Sequence, residues 1–516
     1  MPDDIRKLFD FRGVEGRQLE VDQLISSELE SFLGSDPRAP FFAASKIRET
    51  LENVAIPEDP VPARDYFRFL FSLVNSGSVR THAPKFIGHM TSALPTFIDS
   101  LSRVITAINQ NVVKVETSRD FSLYERNALG MVHKLVYAET DDFYKSHALS
   151  NESTLGMVVS GGTLANIAAL WCARNHVLSA PGPSVEAVGL GEALRARAKT
   201  NAVVIGSEMM HYSFRKAVDL IGLGEQNLVK VKANHRNQID IDALRERLDL
   251  ARREQACVIA VVGVAGTTET GNIDPLERIA ALCREFSVPF HVDAACGGPA
   301  LFSSKHSGLL KGIEQADSVT IDAHKQLYTP MGVGMVVFKD PARAAAIEKS
   351  ANYIVRKGSE DLGRRTLEGS RPAMSAFLHG ALHMIGRSGF ESLIDAGIAK
   401  TRWMADWLSG SPDFELLAEP ELNILVYRHL PKAVRPAVGK PFTREQNELV
   451  NQHNIRLQDM QKSDGTAFVS RTLLMTTIHG AEVPIVALRC VLANPLTSQD
   501  DILATLEEQN ALAERM

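Results

Sequence analysis

The chain has no apolar run long enough to span a bilayer. Its longest, residues 258–265, has eight residues, where a spanning helix needs roughly 20. Cysteine is scarce. The five cysteines, at 172, 257, 283, 296 and 490, form an odd and scattered set with no Cys-x-x-Cys pair. That speaks against a disulfide framework and against a zinc cluster, so no metal is expected and a reducing, cytoplasmic compartment is the simplest. Positive charge is not in surplus either. With 56 basic and 62 acidic side chains the net charge is −6, and no basic stripe offers a footprint for nucleic acid. The opening "MPDDIRKLFDFRGVEG" is charged from its third residue and lacks the apolar core of a signal peptide. Repeats and low-complexity tracts are also missing.

What is present is an ordinary soluble composition, 45% hydrophobic and 23% charged, over 516 residues. That is too much chain for one compact core, so two or three domains are expected. Short amphipathic patterns up to residue 75, broken by "PEDPVP" at 57–62, suggest an N-terminal helical arm and a connector. From about 150 to 340 the pattern becomes regular. Apolar runs at 156–160, 201–207, 227–233, 257–266, 288–295, 318–321 and 332–338 alternate with helical patterns such as 163–178, 240–253 and 275–287. Asp274 is expected to cap the last of these, with Pro275 in its first turn. Continuously apolar strands alternating with helices predict a largely parallel sheet covered on both faces. After about 390, strand-like segments at 423–428, 467–474 and 485–492 and helical patterns at 442–460 and 498–513 predict a smaller α+β domain with an antiparallel sheet.

Ligands of open α/β sheets bind at the carboxyl ends of strands, and the unusual residues fall there. In "SGGTLANIAAL" (160–170), Gly161, Gly162 and Thr163 join a strand to a helix. Glycines admit close backbone approach, and a helix N-terminus offers free N–H groups to a phosphate; a plain tight turn would need the same glycines. His211 follows the strand at 201–207 and begins a helix, where a histidine is commonly only a turn residue. In "HVDAACGG" (291–298), Asp293 and Ala295 are two apart, which on a strand points them to one face. Asp293 ends an apolar run, so its carboxylate wants a cationic or N–H partner, and Ala295 leaves room for something flat. In "DSVTIDAHKQLYTPMGVG" (317–334), His324 and Lys325 end another apolar strand. Lys325 is either solvated or an amine nucleophile, and the second role is expected to need a lowered pKa. Singly these signals are modest. Together they supply a phosphate cradle, an aromatic ring to stack, a carboxylate for a pyridinium nitrogen and a lysine for a Schiff base. Those are the needs of pyridoxal 5'-phosphate. A nicotinamide cofactor fits worse, because "SGGTLAN" is not G-x-G-x-x-G.

The ordered set resembles the group II pyridoxal-phosphate amino-acid decarboxylases, glutamate decarboxylases especially. The resemblance runs from "THAPKFIGHMTSALP" (81–95) through "AGTTETGNIDP" (265–275) and residues 291–327 to "LRCVLANPLTSQDDI" (488–502). Within that family the chain most resembles the bacterial branch that converts aspartate to β-alanine. The resemblance implies the type I aminotransferase fold: a large domain with a mostly parallel seven-stranded sheet, a smaller C-terminal α+β domain and an N-terminal helical segment. It also implies boundaries of 1–120 for the helical, dimerising segment, 121–389 for the cofactor-binding domain and 390–516 for the small domain. A homodimer with active sites at the subunit interface is implied as well.

Carried over residue by residue, Lys325 would form the Schiff base, with His324 its neighbour on the phosphate side. Asp293 would hold the pyridine nitrogen protonated, and His211 and Ala295 would lie on opposite ring faces. Gly161, Gly162 and Thr163 would hold the phosphate, and Thr268 would sit near the 3-hydroxyl. Arg489 matches the arginine for the substrate α-carboxylate, a role its motif context favours over that of a strand arginine in an ion pair. His89 and Thr91 stand where glutamate decarboxylases carry a glutamine and a serine, and could meet a side-chain carboxylate, although His89 could equally be a structural interface residue. The expected substrate is an acidic amino acid, aspartate first, with glutamate and cysteine sulfinate as alternatives and a non-catalytic regulator as a further one. Two departures stand out: Cys296 replaces a frequent aromatic, and the loop at 356–371 lacks the tyrosine that often protonates Cα. His211 and Tyr353 are left as proton donors, and Asp322 is left without an assigned partner.

Overall fold

The structure is a computed structural model describing residues 15–34, 51–179, 181–351, 355–356, 358–435, 442–478 and 481–516. Tyr353 lies outside the described residues. Helices Glu15–Gly34, Ala63–Gly77 and Phe97–Ile108 lead into a seven-stranded sheet. Its strands are β1 (Gly156–Val159), β2 (Ala202–Ser207), β3 (Leu228–Val231), β4 (Cys257–Val264), β5 (Phe290–Asp293), β6 (Ser318–Asp322) and β7 (Gly334–Phe338). The order is β1-β7-β6-β5-β4-β2-β3. Strands β6, β5, β4, β2 and β3 pair in parallel, while β7 runs antiparallel to both its neighbours. The reversal has a length cause. The β6–β7 connection, residues 323–333, is too short for the helical crossover that a parallel pair requires.

Every residue of β2, β5 and β6 is buried, as strands covered on both faces must be. Alternation divides their side chains between two cores. Val203 and Ile205 join the helices at 120–137, 241–253 and 276–286 on one face, whereas Val204 and Val262 pack with the helices at 162–177 and 213–220 on the other. The smaller unit is an antiparallel sheet, β10-β11-β9-β8, built from β8 (Phe414–Leu416), β9 (Ile424–His429), β10 (Ser470–Ile478) and β11 (Ala481–Val491). Residues 86–91 dock against it through Ile87, whose N–H donates to Phe468 O and whose carbonyl accepts from Val491 N. No helix among the described residues is long and apolar enough to cross a membrane.

One local expectation is corrected. Pro275, not Asp274, takes the N-cap position of helix Leu276–Phe286. The Asp274 carboxylate instead accepts from Ile239 N at 2.6 Å and Val264 N at 2.8 Å, clipping the end of β4 to the loop before helix Ile241–Arg253. Tertiary donors outcompete the local cap. Burial pushes this carboxyl up to about 7 despite those two hydrogen bonds. The folded state therefore holds a proton that the unfolded chain sheds near pH 4. The stability this brings is complete below pH 4 and is lost as the pH rises through 7, with a span on the order of 4 kcal/mol. Asp274→Asn should flatten the fall in urea-unfolding free energy between pH 4 and 7.

Candidate active site

The reversed β7 gathers the site. Val159 at the end of β1 and Asp322 at the end of β6 are both register partners of Gly334. Asp293 at the end of β5 pairs with Val264 at the end of β4. A cavity of about 350 Å³ opens over these ends. Gly161, Gly162 and Thr163 form one wall, where β1 turns into helix Gly162–Val177. The turn requires glycine: Gly161 has φ +142°, and a Cβ there would stand 3.1 Å from His324 Cε1. Gly334 allows the opposite approach, since a Cβ on it would lie 2.5 Å from Gly161 Cα.

Lys325 enters from the β6–β7 connection. Its Nζ donates to Asp322 Oδ2 at 3.1 Å and to Cys296 Sγ at 3.4 Å. Asp322 thereby gains the partner that the sequence did not supply, and His324 Nε2 lies 3.7 Å from the same oxygen. The expectation of a lowered lysine pKa is corrected. Burial does pull the amine down, but Cys296, Asp322 and Asp293 together outweigh it and hold Lys325 raised and charged. His324 Nδ1 and Asp322 Oδ1 are buried with no hydrogen-bond partner among the described residues.

Asp293 Oδ2 accepts from Asn166 Nδ2 at 2.9 Å, and its Oδ1 accepts from the Ala295 N–H at 3.1 Å. Ala295 lines the same cavity as Asp293, but through this turn: β5 ends at Asp293, so strand alternation is not what aligns them. His211 precedes helix Ser213–Leu220, and its Nδ1 accepts from Ser213 N at 3.3 Å. Burial pushes its imidazole below the usual range, with Asp293 opposing. Thr268 completes this group of lining residues.

Arg489, buried on β11, reaches back to this wall. Its Nε donates to Thr268 O at 2.6 Å and its Nη1 to Gly88 O at 3.1 Å. It forms no ion pair within 4 Å among the described residues, although the Glu269 carboxylate acts on it electrostatically. The bond to Gly88 places His89 beside the site, where burial and the charges of Arg489 and Lys325 push the imidazole down. His89 is nonetheless exposed and Thr91 half-buried, and neither lines the cavity. Asn166, Ser160 and Tyr212 do line it and were not singled out from sequence. The available signal was a polar Asn166 amid the apolar stretch of its helix.

The donor set suits pyridoxal phosphate. A helix N-terminus on a glycine turn, with the orphaned His324 Nδ1 nearby, would suit a phosphate; a carboxylate and an amine line the same cavity and would suit a ring nitrogen and an aldehyde. Fold and site define a pyridoxal-dependent enzyme of the type I fold. Residues 46–430 match the pyridoxal-dependent decarboxylase conserved domain, and the chain belongs to that family, whose cofactor is pyridoxal 5'-phosphate. An aspartate 1-decarboxylase of Aliivibrio fischeri is 42% identical over 96% of this chain and 91% of that protein. An L-2,4-diaminobutyrate decarboxylase of Acinetobacter baumannii is 27% identical over 87% of this chain and 83% of its own length. Among solved structures, mouse CSAD in apo form has a TM-score of 0.84 at 24% identity, covering 98% of this chain and 99% of that one. An Oryza sativa TDC with PLP and tryptamine has a TM-score of 0.82 at 19% identity, covering 98% and 99%. The chain is thus a pyridoxal-phosphate-dependent amino-acid decarboxylase.

Proposed function

We propose that the chain removes the α-carboxylate of L-aspartate, releasing carbon dioxide and β-alanine. The observation that carries this reading is Arg489, a buried guanidinium held by two carbonyls with no ion pair among the described residues. A cation kept in that state is a receptor for a carboxylate. His89, beside it, supplies a second donor for the shorter side chain of a dicarboxylate. The likeness to an aspartate 1-decarboxylase over nearly the whole chain favours aspartate over glutamate and cysteine sulfinate.

When bound, pyridoxal phosphate supplies the sink for the electrons of the broken carbon–carboxylate bond. Gly161, Gly162 and Thr163 present N–H groups, and His324 its imidazole, to the phosphate. Asp293 aims a carboxylate at the ring nitrogen and stabilises its positive charge. His211 and Ala295 would confine the ring, and Thr268 would lie on its 3-hydroxyl side. Lys325 would hold the cofactor through its amine, and Asp322, 3.1 Å away, would accept the proton that the amine must shed. Arg489 would hold the α-carboxylate and so orient the bond that breaks, and His211 would serve as the proton donor to Cα. A second copy of the chain completes the site in this reading. The exposed apolar side chains Val54, Ile56, Tyr66 and Phe69 and the exposed His89 are the surface it would cover.

The test is kcat/KM for L-aspartate, L-glutamate and cysteine sulfinate with carbon dioxide and amine both quantified. Aspartate should exceed glutamate by about 10- to 200-fold, the discrimination that one methylene sustains. A preference for glutamate or cysteine sulfinate would replace the substrate, and absence of carbon dioxide would replace the reaction.

A further inference from the structure

Behind Asp293 lies a closed chain of polar groups that the reading above does not use. Asn166 Nδ2 is 2.9 Å from Asp293 Oδ2 and 3.1 Å from Ser213 Oγ, while Asn166 Oδ1 is 3.1 Å from His291 Nε2. His291 Nδ1 is 2.8 Å from Ser318 Oγ. Asn166, His291 and Ser213 are each at most 2% exposed. The residues come from helix Gly162–Val177, β5, β6 and the first turn of helix Ser213–Leu220.

The direction of every bond follows from one fact. An ionised carboxylate can only accept, so the amide must turn Nδ2 toward Asp293. Its second N–H then serves Ser213, and Oδ1 is left facing His291, which must donate from Nε2. Burial pushes this imidazole down to about 4, so it is neutral near pH 7, and with Nε2 carrying the proton His291 Nδ1 accepts from the Ser318 hydroxyl. The network also reaches the stacking side of the site, because the Ser213 N–H donates to His211 Nδ1. Both donors and one acceptor of a single buried amide are thus committed, and a packing role alone would call for an apolar side chain.

We propose that Asn166 and His291 are positioning residues for the Asp293 carboxylate. His291 locks the amide orientation of Asn166, Asn166 donates to Asp293, and the remaining lone pairs of Asp293 are left aimed at the ring nitrogen of the cofactor. The inference rests on the assignment of Asp293 given under the proposed function, and it adds two residues that act only through that carboxylate.

The test is fluorescence titration of cofactor-free protein with two ligands: pyridoxal phosphate, and the analogue in which a ring carbon replaces the pyridine nitrogen. Asn166→Asp keeps the shape but replaces the donor with a second carboxylate. It should weaken pyridoxal phosphate by about 10- to 100-fold, the usual loss when the partner of a ligating group is removed, and leave the analogue little changed. His291→Leu should act in the same direction. His291→Gln, whose amide still donates to Asn166, should restore most of the affinity. Thermal unfolding of each cofactor-free variant checks that it is folded. Equal loss for both ligands, or no loss for either, overturns the proposal, as does a His291→Gln variant as weak as His291→Leu. Asp293→Asn, run alongside, separates the two levels. If it discriminates between the ligands and Asn166→Asp does not, the positioning role alone fails. If Asp293→Asn does not discriminate, the Asp293 assignment fails and takes this inference with it.

Discussion

Lys325→Ala loses turnover by a factor on the order of 10⁴ to 10⁶, the range seen when a covalent nucleophile is deleted, and loses the visible absorbance of covalently held cofactor. The amine lies against both Asp322 and Cys296 beside the glycine turn at Gly161–Gly162. Its neighbours keep it charged while the aldehyde is absent, so the ion pair with Asp322 is both its resting state and its route for losing a proton. Reversed-phase mass analysis after borohydride reduction checks the bond directly. The wild-type chain should gain the mass of one reduced cofactor and the variant should gain none. A variant that keeps both turnover and absorbance removes Lys325 from the chemistry.

The second large effect falls on Arg489. Arg489→Met should lower kcat/KM for the amino-acid substrate by about 30- to 5,000-fold, the equivalent of the 2–5 kcal/mol lost when one partner of a buried charge pair is truncated. Most of the loss should enter through KM if, as proposed, the guanidinium holds a group present in the ground state. Binding of β-alanine, which lacks the α-carboxylate, should change far less than binding of aspartate. Arg489→Lys keeps the charge but not the fork that spans Thr268 O and Gly88 O, and should fall between the two. Equal weakening of aspartate and β-alanine would assign Arg489 to scaffolding.

The large sheet was readable because its strands, the edge strand β3 apart, are apolar on both faces and therefore continuous in sequence. All seven runs became strands, and the chemistry-bearing residues stood out by interrupting them at their ends. Gly161, Asp293 and Lys325 are visible for that reason. Asn166 and His291 are not: 125 residues separate them, and a buried polar side chain declares its partner only once strands and helices are packed. The same limit hid the partner of Asp322 and reversed the expected direction for Lys325, since two of the groups that act on the amine, Asp293 and Cys296, lie outside the local turn. Asp274 illustrates the opposite failure. Its local context is a good cap signal, and two tertiary N–H groups outcompeted it. β8, three residues long, is too short to carry a periodicity.

The central claim is that the α-carboxylate of aspartate is the group that leaves, and its fate can be followed with a single label. L-Aspartate carrying ¹³C only at the α-carboxyl carbon is incubated with the holoenzyme, and carbon dioxide and amino product are collected together. The account predicts that the label appears in carbon dioxide, one equivalent for each unlabelled β-alanine formed. Label retained in alanine, or in an oxo-acid with no carbon dioxide released, would contradict it.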